Sequence, residues 1–246
     1  MTFPEFSNDQ AVFKNNFLQV MQFVFNHTSF DPENEMDQAA LAALKPLGVE
    51  PGKDFDNSGV ARIDGEKFAK TAADIRSESL DIKIKSQGST ELDAVFLPKG
   101  EMTLRNMVIQ SAVGPVGLPT QEAQYPSIGT IDGQPMLASE HYVIGMTQKQ
   151  LPPTSAFWSA TLYDSESGLF IPNEGRKYSV GENGGVKLDE QGGVEIHIAP
   201  AQPEGVPAQN WLPSGGGAGQ VDVMLRVYGP DIEAMKVWQA PKAIKL

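Results

Sequence analysis

Residues able to bind or react fall mostly in short stretches where apolar and polar side chains alternate. In residues 221–228, Val221, Val223, Leu225 and Val227 alternate with Asp222, Met224, Arg226 and Tyr228. In 194–198, Val194, Ile196 and Ile198 alternate with Glu195 and His197, and in 157–163, Trp158, Ala160 and Leu162 alternate with Ser159, Thr161 and Tyr163. Side chains two positions apart share one face of a strand. If these strands are neighbours, Tyr163, Glu195, His197, Asp222, Arg226 and Tyr228 line one polar cup. An arginine among tyrosines suits a carboxylate or an array of sugar hydroxyls, because its planar fork supplies directed donors. His197, Tyr163 and Arg226 form the candidate catalytic set, an acid–base group beside an anion holder. The competing reading is a solvated sheet face laced by cross-strand pairs.

A second cluster joins Trp211, in a long Pro- and Gly-rich loop, to Arg176 and Tyr178 of GRKYSV. An indole on a loop can stack on a sugar or flat ligand, or it can pin the loop to the body of the protein. Trp158 and Tyr228 complete the candidate ligand-binding residues: Trp158, Tyr163, Arg176, Tyr178, Trp211, Arg226 and Tyr228.

Metal signals are partial. The three histidines, His27, His141 and His197, form no HxH or HExxH pattern. His141 and His197 would make a metal site only by meeting in space beside Glu140 or Glu195. Asp54, Asp56 and Ser58, followed by Gly59, match the first half of a calcium loop, but the twelfth position is Gly65 instead of the bidentate glutamate. The cofactor is left open, with calcium the candidate that this partial loop offers. No GxSxG is present, and SGGGAG lacks the Lys-Ser/Thr of a phosphate loop.

The elements that must position these residues change character along the chain. Residues 7–25 have helical periodicity, with Ser7 and Gln10 at capping-box spacing and Phe13, Phe17, Val20, Met21 and Val24 on one face. A second helix is expected from Asp31-Pro32 to Leu47-Gly48, a third over 64–86 with Phe68, Ala72, Ile75, Leu80 and Ile84 apolar, and a fourth over 102–112. From Tyr125 the period becomes two. Strands are expected at 127–131, 142–146, 156–163, 185–188, 194–198 and 221–228, with hairpin turns at Asp132-Gly133 and at 189–193. The fold class is α+β: a mainly helical domain over 1–120, then an antiparallel β-sandwich over 121–246.

Composition bounds the partners. With 40% hydrophobic and 20% charged residues, the 246-residue chain is globular in type. A net charge of −12 repels phosphate backbones and anionic lipid, so neither nucleic acid nor a membrane is an expected partner. The chain has no cysteine, which excludes disulfides, thiolate nucleophiles and zinc–thiolate sites. The opening MTFPEFSNDQAVF has no basic stretch followed by an apolar one, so no signal peptide is expected. Cytoplasmic placement is the default expectation, with the periplasm or secretion the alternative if a leader was removed.

Three segments carry a family signature: YPSIGTIDGQPMLASEHYVIGMTQKQLPPTSAFWSATLYD, GRKYSV, and NWLPSGGGAGQVDVMLRVYGP with the closing WQAPKAIKL. In this order they resemble the C-terminal part of bacterial proteins that pair domain of unknown function 1254 with domain of unknown function 1214. The match is to the 1214 part, and the helical front with LKPLGVEPGKDFD is similar to the region that precedes it. The resemblance implies a jelly-roll or galactose-binding-like sandwich after a helical domain. Against that resemblance, the N-terminal 1254 sandwich is expected to be missing from these 246 residues.

Three functions fit these residues: a binding module for a small molecule or glycan, an enzyme acting on a small molecule through His197, Tyr163 and Arg226, or a structural assembly protein. The aromatic-rich helical front, without the sandwich that accompanies it in the resembled proteins, predicts cover by a second copy. Sedimentation of the purified chain at high concentration should then give a homo-oligomer mass; a sharp monomer would refute it.

Overall fold

Alternating apolar side chains make strands that can bury one face, and two such faces closed on each other make the second half of this protein. The computed structural model describes residues 3–56, 63–85, 95–114 and 117–246. The chain forms two compact units, one of Met1–Lys83 with Lys99–Pro115 and one of Ile84–Pro98 with Val116–Leu246. No helix among the described residues is long and apolar enough to cross a membrane.

The first unit is helical: α1 (Asp9–Ala11), α2 (Phe17–His27), α3 (Glu35–Leu44), α4 (Gly65–Lys85) and α5 (Leu104–Val113). A π-helical turn, Val12–Asn16, joins α1 to α2 in one continuous helix. The N-cap is Asn8, whose Oδ1 accepts from the Ala11 N–H at 2.9 Å, in place of the expected Ser7. The wide turn carries an extra residue and rotates the helix beyond it. The buried stripe is therefore Val12, Leu18, Gln22 and Phe25, while Val24 of the expected face is 38% exposed. Phe13 and Phe17 pack instead on Phe68 of α4, with ring centroids 5.5 and 4.8 Å away. At the head of α4, a Cβ on Gly65 would lie 2.1 Å from the Lys14 carbonyl oxygen of the π turn, so only glycine allows this approach.

Gln22 is 2% exposed, yet it is satisfied. Its Nε2 donates to the Glu50 carbonyl at 2.8 Å and its Oε1 accepts from the Glu50 N–H at 3.2 Å. One turn on, Asn26 accepts from the Gly52 N–H at 2.8 Å and donates to the Lys53 carbonyl at 2.9 Å. The VEPGK loop is thus fastened to α2 by two side-chain amides.

The second unit contains β1 (Ala123–Gln124), β2 (Ser127–Ile128), β3 (Met136–Leu137), β4 (Tyr142–Met146), β5 (Thr154–Asp164), β6 (Ser179–Gly181), β7 (Val194–Ala199), β8 (Trp211–Pro213), β9 (Gln220–Pro230), α6 (Ile232–Met235) and β10 (Ala243–Lys245). A six-stranded sheet runs β1-β9-β5-β6, with β2 and β3 also along β9. A four-stranded sheet runs β10-β4-β7-β8. The two share one core: Trp158, Leu162, Val223, Leu225 and Val227 from the larger sheet meet Ile144, Val194, Ile196, Ile198 and Leu212 from the smaller. This is a β-sandwich, and its outer faces point away from each other.

The architecture departs from the sequence reading at three places. The smaller sheet is mixed, because β7 and β8 pair in parallel. Residues 185–188 form no strand, since Gly185 turns left-handed at φ 71°. The Asp132-Gly133 turn makes no hairpin: it links β2 to β3, and both lie on β9.

The alternation on β9 gives a stability test. Leu225 is 1% exposed inside the core, whereas Asp222 is exposed on the outer face. Leu225→Ala should cost about 2–5 kcal/mol in urea unfolding, and Asp222→Ala should stay within about 0.5 kcal/mol.

Candidate functional site

Because Val221, Val223, Leu225 and Val227 fill the core, Met224, Arg226 and Tyr228 must face outward. The register places neighbours for each: Phe157 opposite Tyr228, Ser159 opposite Arg226, Thr161 opposite Met224 and Tyr163 opposite Asp222. On the other side of β9, Ala123 pairs with Tyr228 and Gln124 with Val227, so the next residue, Tyr125, comes level with Arg226.

Aromatic rings frame Arg226 on three sides. Phe157 and Tyr228 lie 4.6 Å apart between centroids. Phe96 packs on Tyr125 at 5.4 Å. Tyr163, Phe170 and Tyr178 form a stack, with centroids 5.3 and 4.8 Å apart. The Arg226 Nη2 donates to the Tyr163 hydroxyl. The guanidinium carbon lies 5.5 Å from the same ring centroid, within cation–π range. Burial pushes the Tyr125 phenol above its usual range, against the opposing pull of the Leu118 N–H that donates to it at 2.9 Å; Tyr228 adds to the rise and Arg226 opposes it.

The guanidinium is not saturated. Among the described residues its buried Nη1 has no hydrogen-bond partner and no ion pair includes Arg226. A buried donor without an acceptor is costly.

The sequence set does not stay together. His197 and Glu195 belong to β7, so they face outward from the opposite side of the sandwich to Tyr163, Asp222, Arg226 and Tyr228. There His197 Nδ1 meets His141 Nε2 at 3.0 Å, and Glu195 lies 3.7 Å from His197 Nε2. Burial first, then the charge of His141, holds the His197 pKa below the usual histidine value, and Glu195 opposes both. The catalytic trio of His197, Tyr163 and Arg226 is therefore divided between two faces.

Trp158 is 1% exposed in the core, out of reach of a ligand on either face. Trp211 sits level with His197 in the parallel pair, and its indole N–H donates to the Ala199 carbonyl at 3.0 Å. It anchors the loop. Arg176 is exposed at a left-handed φ of 48°. The residue that does cross to the Trp211 loop is Lys177, whose ammonium donates to the Ala208 carbonyl. Asp54 and Asp56 are exposed, and Ser58 lies outside the described residues. Among the described residues no group of three or more His, Asp or Glu converges as a metal site.

Sequence reasoning missed Tyr125, Phe96, Phe157 and Phe170. Phe157 was visible in the alternation of β5, on the opposite side from Trp158. Phe96 and Phe170 come from segments with no period to read.

Tyr163 holds one arm of Arg226 in place. Tyr163→Phe leaves Nη2 without that acceptor and should cost about 1–3 kcal/mol in urea unfolding. Tyr178→Phe, at the far end of the stack, should change little.

The comparison with curated proteins returned no match. Among solved structures, the whole of this chain (100%) is similar to the VPA0106 protein from Vibrio parahaemolyticus, at 22% identity and a TM-score of 0.56, and it spans 58% of that protein's length. This likeness concerns the fold. An uncharacterized protein from Burkholderia cenocepacia overlaps 56% of this chain and 32% of its own, at 18% identity and a TM-score of 0.35. The signature read from the sequence is matched on the sandwich itself: residues 122–232, which carry Tyr163, His197, Arg226 and Tyr228, match the family described as a protein of unknown function, DUF1214.

Proposed function

We propose that the outer face of the six-stranded sheet binds a small molecule that presents a carboxylate beside a flat ring or sugar face. What carries this reading is the Arg226 Nη1, buried and without a partner inside a frame of aromatic rings. Once the rings that cover it give way, a carboxylate oxygen satisfies that donor by a charge-assisted hydrogen bond, and the guanidinium plane fixes its direction. The exposed ring of Phe170 and the half-buried Tyr228 supply apolar faces on which a ring or pyranose can lie. A binding role also fits what surrounds the arginine. Its nearest polar neighbours are tyrosine, serine and threonine, and the histidine pair lies on the opposite face.

The test uses the full chain, isotopically labelled, titrated with benzoate and with glucuronate and followed by NMR. Shifts should centre on the Arg226 side-chain N–H and on the backbone of Ser159 and Tyr228. Arg226→Lys keeps the charge but loses the fork, and should weaken binding by about tenfold or more, the worth of one charge-assisted hydrogen bond. Shifts scattered elsewhere, or unchanged affinity in a folded Arg226→Lys variant, would overturn the reading.

A further inference from the structure

We propose that His141 and His197, on the outer face of the four-stranded sheet, form a two-imidazole site for a divalent transition metal of the Cu²⁺, Ni²⁺ or Zn²⁺ type. The site is independent of the ligand face around Arg226. It rests on the pairing of β4 with β7. Val143 lies opposite His197 and Tyr142 opposite Ile198, so His141, one residue before β4, reaches His197 diagonally across the same face. The rings are tilted by 45° with centroids 5.2 Å apart, and His141 Nε2 stands 3.0 Å from His197 Nδ1. The two ring nitrogens thus face each other across a hydrogen bond, and a metal would take the place of the proton they share.

The spacing is close to that of two ligands on one metal. Metal–nitrogen bonds of about 2.0–2.1 Å at a tetrahedral angle set the nitrogens roughly 3.3 Å apart. A small turn of either ring makes up the difference. Imidazole pairs suit copper, nickel and zinc over calcium or magnesium, which take oxygen.

The second nitrogen of His197 supplies independent support. Its Nε2 faces the Glu195 carboxylate at 3.7 Å. Closed to hydrogen-bonding distance, a carboxylate on the outer N–H of a histidine fixes the tautomer and raises the basicity of the inner nitrogen, the usual setting of a metal-bound histidine. With the proton on Nε2, His197 Nδ1 carries a lone pair toward His141, and the proton between the rings belongs to His141 Nε2. Metal entry moves that proton to His141 Nδ1 through solvent, and both imidazoles stay neutral, so no net proton is released. The His197 side chain is 13% exposed, so the metal would be shielded on one side and open to water on the other. Glu140 lies beside His141 in the chain and is paired to Lys245 at 3.1 Å. No third His, Asp or Glu joins among the described residues, so water fills the remaining positions and the metal exchanges.

The test is titration of the full chain with Cu²⁺ alone, followed by calorimetry and electron paramagnetic resonance. One Cu²⁺ per chain, with hyperfine structure from two imidazole nitrogens, is expected. His141→Gln and His197→Gln should each weaken binding by at least about tenfold, and Glu195→Gln by about tenfold. His27→Gln should change nothing, because that histidine is exposed on α2 and its Nδ1 is engaged by the Phe23 carbonyl at 2.7 Å. Near-ultraviolet circular dichroism reports whether each variant keeps its sheet, and His141→Gln decides the matter where His197→Gln disturbs it. Copper binding that survives loss of His141, or a spectrum with a single nitrogen, would overturn the proposal.

Discussion

Strand β9 cannot present both of its faces to the core. Val221, Val223, Leu225 and Val227 are each 2% exposed or less, and each such burial is worth about 1.5–3 kcal/mol. That preference fixes the register, and the register fixes everything on the outside. A slip of one residue would put Arg226 between the sheets and four apolar side chains in water. The strand is also the larger sheet's hub, since β1, β2, β3 and β5 all pair with it. The arginine is therefore placed by the burial of its neighbours, and Tyr163 then orients one arm of its fork.

The sandwich separates two kinds of chemistry by its own thickness. On one outer face, a cation sits among aromatic rings with an unfilled donor. On the other, two imidazoles point at each other beside a carboxylate. A single pocket would need these groups to converge, and two packed sheets hold them apart. The site around Arg226 also draws on segments outside the strands: Phe96 comes from before the sheets, and Phe170 from the connection after β5.

Much of this was legible in the residues, and the rest was hidden for definite reasons. Strands β5, β7 and β9 alternate apolar and polar residues over five residues or more, and their inner and outer faces can be read directly. Strands β1, β3, β6, β8 and β10 have only two or three residues, too few for a period to show. In the first helix the period is genuine but broken, because the π turn at Val12–Asn16 shifts its phase. For the site, parity correctly assigned Tyr163, Arg226 and Tyr228 to one outward face. It also drew in His197, because parity tells which side of a strand a residue takes and not which sheet the strand joins. The burial of Trp158 comes from the same alternation that exposes Phe157.

The central place of β9 also sets the order in which the sandwich can close. Ala123 pairs with Tyr228, Ser127 with Met224 and Met136 with Val221, and each pairing spans most of the unit. Strand β4, by contrast, meets β7 much nearer in sequence. Long-range pairings form slowly, because the loop entropy is lost before the contacts reward it. On a growing chain, β1, β2, β3 and β5 all leave the ribosome before the strand that joins them. Until β9 arrives, each carries an unpaired edge, and β5 has only the short β6 beside it in its own sheet. That interval, more than the finished fold, is when the protein is most exposed to aggregation.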